Sequence, residues 1–402
     1  MIVSKSYPWS KAGTRLLGLI GLLSLVGTAT PAVAQNMGDT LQVHGFLSQA
    51  LVITDDNNFF GPSSESGGST KFTEVGVNFS VRPHEDVLVA AQVLSRRAGG
   101  DGNSAQPKLD HGVIDYQPLS NQKRSIGIQV GRFKNPFGFY NQTRDVAFTR
   151  PSILLPQSIY FDRTRSLGLA ADGFSLYTEE RLPYGTVRAQ AGAAIPQTDE
   201  DLERQTVPNA TAVDGNPSFI GQILYEHSGG QFVGAVSAAD VAADISTNTA
   251  EGKLSFKALI FSLQINKEKW SLTSEYAIRD LETSDFSNAL FNQSAVGESW
   301  YIQYSRRFLE NWQGFIRYDS LVTNRDDPSG RQYELSNAGP AHSQFARDWT
   351  MGLRWRVHPQ VLLSAEYHYV NGTGWLPAQD NPDPDDTQRY WNMFLTQLSI
   401  RF

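Results

Sequence analysis

Apolar residues return at every second position from Leu41 onward. Leu41, Val43, Gly45, Leu47, Gln49, Leu51 and Ile53 share one face of an extended segment, and Gln42, His44, Ser48 and Thr54 share the other. A period of two is the alternation of a half-buried strand, where a helix would repeat at about 3.6. The pattern recurs. Thr73, Val75, Val77, Phe79 and Val81 oppose Glu74, Asn78 and Ser80. Trp349, Met351, Leu353, Trp355 and Val357 oppose Asp348, Thr350, Arg354 and Arg356. Val361, Leu363, Ala365, Tyr367 and Tyr369 oppose Ser364, Glu366 and His368.

The connections alternate in length. Short ones sit at 83–85, 118–122, 179–185, 228–230, 266–269, 309–311 and 358–359. Long polar segments separate them at about 55–70, 97–107, 134–165, 196–217, 241–251, 281–297, 324–346 and 371–388. Seven short turns and eight long loops predict sixteen antiparallel strands with both termini at the short-turn end. Bacterial outer-membrane barrels have this asymmetry, with short periplasmic turns and long extracellular loops. A soluble sandwich or propeller gives no reason for it.

The lipid environment supplies the reason for closure. Hydrocarbon offers no water to unpaired N–H and C=O groups, so a sheet within it must have no edge. Tilted strands of roughly 9–11 residues are long enough to cross. Phe232, Trp270, Phe308, Trp312 and Phe402 stand by the short turns, where an interfacial aromatic girdle would lie. The mean hydropathy of −0.34 does not argue against a membrane, because alternating strands average out. Cysteine is absent, so no disulfide framework holds the chain.

The N-terminus implies export. Lys5, Lys11 and Arg15 precede an apolar run from Leu16 to Gly27, followed by Ala32-Val33-Ala34. This is the layout of a secretory signal peptide over residues 1–34, cleaved after Ala34. A run of that length is too short for a spanning helix, which needs roughly 20 residues. The 34 Lys+Arg include those three, so residues 35–402 carry 31 against 41 Asp+Glu, a net charge of −10. That balance argues against nucleic-acid binding, which wants a basic stripe. The expected fold is therefore all-β, a transmembrane antiparallel β-barrel domain over 35–402.

One segment carries more than architecture. Gly131-Arg132-Phe133-Lys134-Asn135-Pro136-Phe137-Gly138 ends the fifth predicted strand. Arg144-Asp145-Val146-Ala147-Phe148-Thr149-Arg150-Pro151-Ser152 follows, then Arg163, Arg165 and Gly168. This resembles the third-loop region of the phosphate-selective porin O/P family, in motif over about 131–168 and in general plan over most of the chain. The resemblance implies a trimer of sixteen-stranded barrels, each with its third loop folded into the lumen. This sequence has no lysine-rich cluster beside the loop. Phe402, with Ile400, Leu398 and Phe394 on its face, resembles the terminal strand whose final aromatic serves the barrel assembly machinery.

Segment 134–165 has the apolar content to bury itself, including Phe137, Phe139, Tyr140, Phe148, Ile153, Leu154 and Leu155. Folded inward, it would present Lys134, Arg144, Asp145, Arg150 and Arg163 at a constriction, where rings of charge set ion preference. The same charges could instead pair with one another or tie the loop to the wall. By parity Arg188, Arg279, Arg317, Arg354, Arg356 and Arg401 face the lumen, as do Glu74, Asp115, Glu226, Glu275, Asp319 and Glu366. Such a mixed wall fits either a mild anion preference or a weakly selective or cation-leaning pore. The acidic runs at 199–201 and 383–386 read as solvated loops, with divalent bridges to lipopolysaccharide, rather than as calcium loops.

Catalysis needs a nucleophile and a base in reach of each other. His84 and His358 sit beside prolines in turns; His44, His111 and His368 lie on separate strands without a hydrolase or metal motif. No enzyme and no cofactor are implied. The function expected is passive diffusion of small polar or ionic solutes, with outer-membrane lipid and lipopolysaccharide as surroundings. A structural or receptor barrel closed by its loop is the alternative.

Overall fold

Each alternating segment becomes a strand whose backbone groups pair on both sides. In the computed structural model, which describes residues 41–99, 105–199, 202–203, 207 and 210–402, the chain forms sixteen strands. They are β1 (Gln42–Thr54), β2 (Ser69–His84), β3 (Val87–Ala98), β4 (Lys108–Ser120), β5 (Arg124–Lys134), β6 (Ala170–Leu182), β7 (Gly185–Pro196) and β8 (Ala210–His227). There follow β9 (Phe232–Thr247), β10 (Glu251–Asn266), β11 (Trp270–Ser284), β12 (Gln293–Leu309), β13 (Trp312–Val322), β14 (Phe345–His358), β15 (Val361–Gly372) and β16 (Tyr390–Arg401). The short helices α1 (Arg165–Leu169) and α2 (Arg331–Leu335) lie in connections. Every strand pairs antiparallel with its sequence neighbours, and β1 pairs with β16 to close the barrel. The predicted signal peptide lies outside the described residues.

At the closing seam Phe46 stands opposite Arg401 and Thr54 opposite Met393. Gly45 donates its N–H to the carbonyl of Phe402 at 2.8 Å and accepts the Phe402 N–H at 2.9 Å. A Cβ on Gly45 would lie 2.3 Å from the Phe402 ring, so the ring covers the glycine. An aromatic laid over a strand glycine is a device that pins register.

The outward face is apolar. Val75, Phe261, Ile302, Met351, Leu363 and Leu398 are exposed on it, while their inward neighbours Glu74, Ser262, Gln303, Thr350, Ser364 and Gln397 are buried. Aromatics flank this band. Trp312 stacks on Trp355 at 5.0 Å near the short turns, and Tyr318 packs between Trp300 and Trp349 in tilted ring contacts at 5.3 and 4.8 Å nearer the long loops.

All seven expected short turns are present, each a few residues long. The structure shortens the expected long connections 196–217 and 281–297, since β8 starts at Ala210, β11 runs to Ser284 and β12 starts at Gln293. It removes one outright. Segment 241–251 is not a long loop: β9 runs to Thr247 and β10 starts at Glu251. Val241, Ala243 and Ile245 continue the inward apolar row, while Asp240 and Asp244 point outward opposite Lys257 and Lys253. Charges on the outer face made a strand look like a loop.

Candidate functional site

Segment 135–164, here L3, joins β5 to α1. Its conformation follows from local chemistry. Pro136, Pro151 and Pro156 exclude regular helix or sheet. Asn141 is buried and its side-chain amide donates to the carbonyls of Asn135 at 3.0 Å and Gly168 at 2.8 Å, which closes the loop's base. Gly138 has φ +63, and a Cβ there would meet the Tyr160 hydroxyl at 2.4 Å, so only glycine fits.

L3 touches the wall on opposite sides. Arg150 forms a two-pronged pair with Glu74 on β2, its shorter contact 2.7 Å, and Arg96 on β3 pairs with both Glu74, at 3.2 Å, and Asp162, at 2.7 Å. Glu275 on β11 accepts from the Phe139 N–H at 2.9 Å, the Tyr160 hydroxyl at 2.7 Å, the Tyr301 hydroxyl at 2.8 Å and Ser262 at 2.6 Å. Asp319 on β13 accepts the Ser158 N–H at 3.3 Å. Glu366 on β15 accepts the Leu154 N–H at 3.2 Å and also that of Ile153. The carbonyl of Gly138 accepts from Gln222 on β8 at 2.9 Å, and its N–H donates to Ser237 on β9 at 3.1 Å. In the ring order β2 and β9 are nearly opposite, so a segment reaching both crosses the interior.

Two other connections help fill one side. Phe59 and Phe60, between β1 and β2, pack with Trp375 and Leu376, between β15 and β16, and with Ile153 and Leu154 of L3. Phe59 meets Trp375 edge to face at 5.3 Å.

The sequence-predicted residues divide by place. Lys134, Arg144, Asp145 and Arg150 are buried or nearly so. Lys134 pairs with Asp110 at 2.6 Å and with Asp145; Asp145 also meets Arg165; Arg144 donates to the Tyr160 carbonyl at 3.1 Å. These four spend their charge inside the loop and against the wall. Arg163 is different. It packs on the Phe161 ring at 5.6 Å and has no carboxylate within ion-pair reach among the described residues. Burial lowers the guanidinium of Arg163 to about 10, and burial, opposed by Asp162, does the same for Arg144; both stay cationic at neutral pH.

On the wall, Glu74, Glu275, Glu366 and Arg317 are buried under L3, with Arg317 donating to the Leu154 carbonyl at 3.1 Å. Arg354 reaches the Ala147 carbonyl at 3.3 Å. Arg279 donates to Ser299 and lies 4.5 Å from the Phe161 ring. Asp115 accepts from Gln129 and Tyr177. Arg188 pairs with Glu179 at 2.9 Å and Glu226 at 3.4 Å; Arg356 is exposed at the short-turn end. Phe402 sits at the seam. Sequence reasoning missed Arg96, Asp110 and Asp162, and the Tyr160–Tyr301 clamp on Glu275. Strand parity could have flagged Arg96, which shares its face with Leu94 and the buried Gln92.

Between L3 and the inner faces of β8 to β13 lies a cavity of about 330 Å³. Its lining includes Arg163, Arg279 and Phe161 beside Ile220, Val241, Leu254, Phe256 and Leu281.

No protein-family model and no curated protein matches the chain. Solved structures do match in fold. The anion-selective porin from Comamonas acidovorans superposes with a TM-score of 0.58 at 11% identity, over 90% of this chain and 99% of that one. The outer membrane channel DcaP of Acinetobacter baumannii gives 0.55 at 12% identity, over 90% and 97%. OmpT of Vibrio cholerae in its trimer form gives 0.52 at 9%, over 90% and 99%. The fold is that of the sixteen-stranded outer-membrane porins.

Proposed function

We propose that this protein is an outer-membrane porin, a passive and non-enzymatic aqueous channel for small polar or ionic solutes. The observation that carries the reading is a closed barrel, apolar on its outer band and largely polar inside apart from the β8–β11 wall, crossed by a loop anchored to opposite walls. A barrel of sixteen strands is wide enough for an aqueous channel. L3 then serves as the constriction that sets the size cutoff. In this reading the signal peptide directs export, the short turns face the periplasm, the long loops face outward among lipopolysaccharide, and three copies assemble.

A mild anion preference is part of the proposal. It is supported by Arg163 and Arg279, cations without a paired carboxylate, whereas Arg144, Arg150 and Lys134 are already neutralised. Likeness to the phosphate-selective porins then concerns the L3 motif and not phosphate itself.

Planar bilayers test this. The purified protein should give stepwise currents in multiples of three, and its zero-current potential in a potassium chloride gradient should favour chloride. Arg163→Gln should move that potential toward zero, while Arg188→Gln at the rim should not. A correctly folded barrel that passes no current would replace the channel with a structural or receptor role for a loop-filled lumen.

A further inference from the structure

The cavity between L3 and β8–β13 combines two chemistries that a plain water-filled pore does not need. One wall is aliphatic and aromatic: Ile220, Val241, Leu254, Phe256 and Leu281 turn inward, and Leu281 remains exposed there. Lumen faces of porins are ordinarily polar. The Phe161 ring of L3 faces this wall with two guanidinium groups close to it, Arg279 of β11 at 4.5 Å and Arg163 of L3 at 5.6 Å. Arg279 is 9% exposed, and among the described residues its Nε has no hydrogen-bond partner and its guanidinium reaches only the Ser299 hydroxyl and the ring. Among the described residues neither arginine has a carboxylate at ion-pair distance.

Arg279 is buried and Arg163 half-buried. The two cations repel each other, and the carboxylate that bears on Arg279, Asp319, stands beyond ion-pair distance and also faces Arg317. Their charge is therefore under-compensated, which is costly unless an anion supplies the remainder. Guanidinium groups bind carboxylate through paired charge-assisted hydrogen bonds. A hydrated inorganic anion would satisfy the charge but gain nothing from the aliphatic wall. A neutral apolar molecule would use the wall and leave the arginines unpaired. The ligand that satisfies both has a carboxylate on an apolar body, and the cavity volume is at the small end of ligand sites.

We propose that this cavity is a binding site for small amphipathic carboxylates, with Arg163 and Arg279 taking the carboxylate and the β8–β13 wall taking the hydrocarbon. This deepens the channel reading and rests on it for the ligand's route to and from the site. Binding is tested separately from conduction, by isothermal titration calorimetry on the folded full-length barrel in detergent. Benzoate and hexanoate are the ligands; inorganic phosphate and benzyl alcohol are the controls.

Both carboxylates should bind saturably, and each control at least about tenfold more weakly. Arg279→Gln and Arg163→Gln should each weaken benzoate about tenfold, and Leu281→Asn should weaken hexanoate more than it changes phosphate binding. Arg163→Gln removes no hydrogen bond among the described residues, so it serves if Arg279→Gln does not fold. Phosphate binding as tightly as benzoate, benzyl alcohol binding equally, insensitivity to the arginine variants, or no binding of either carboxylate would each overturn the proposal. Currents in bilayers without benzoate binding would sink the site and keep the channel; benzoate binding without currents would do the reverse.

Discussion

Glu74 shows how a single side chain can govern the interior. It is fully buried and receives Arg150, Arg96 and the Ser48 hydroxyl at 2.7, 3.2 and 3.0 Å. Removing one partner of a buried pair leaves an uncompensated charge, at a cost of about 3–5 kcal/mol. Glu74→Gln should therefore lower the thermal midpoint of the detergent-folded barrel and make the open-channel current noisier as L3 loosens. Arg188→Gln, an exposed pair, should change the midpoint little, since such pairs are worth about 0–1 kcal/mol. Strand parity was enough to put Glu74, Glu275 and Glu366 on the inner face. What each receives was not legible, because Arg150, Phe139 and Ile153 lie 76, 136 and 213 residues away in sequence. Only the closed barrel brings them together.

Among the elements, the seam between β1 and β16 depends on the fit of Gly45 beneath Phe402. Gly45→Ala puts a methyl 2.3 Å from the ring, so the ring must leave. We expect Gly45→Ala to lower heat resistance of the folded band on cold gel electrophoresis. In a Phe402→Ala background the same change should have almost no effect, the non-additivity expected of residues in contact. The connections near α2 supply a pH test. His342, half-buried, bonds through Nε2 to Thr387 across the connections on either side of β14 and β15, at 3.2 Å to the carbonyl and 3.1 Å to the hydroxyl. Burial first, then Arg389, lowers its pKa below the ordinary value of about 6.5. A depressed histidine pKa means the unfolded clasp binds the proton more readily, so this stabilisation is complete above about pH 6.5 and is lost as pH falls through the lower folded value. Protection factors at 341–345, taken relative to the intrinsic exchange rate at each pH, should fall as pH drops below about 6.5, and His342→Gln should flatten that response. Strands and turns were readable because alternation and turn residues are local signals. The β9–β10 hairpin was not, since Asp240 and Asp244 are polar for the outer face and not for a loop.

For the whole molecule, the governing fact is that one segment holds both halves of the barrel. Replacing both Glu275 and Glu366 by Gln should free L3 from β11 and β15 and raise single-channel conductance, with the circular dichroism of the sheet retained. Unchanged conductance in a folded double variant would mean that L3 does not limit flow. L3 also has a mechanical consequence. An open tube of sixteen strands can be flattened by small, shared changes in strand twist, as a hoop becomes an ellipse. A chord tied to β2 at one end and to β9 and β11 at the other turns the hoop into a braced wheel, stiff along that diameter and compliant only across it. Lateral pressure from the bilayer would then squeeze the passage along one axis, so lipid composition becomes a determinant of its cross-section.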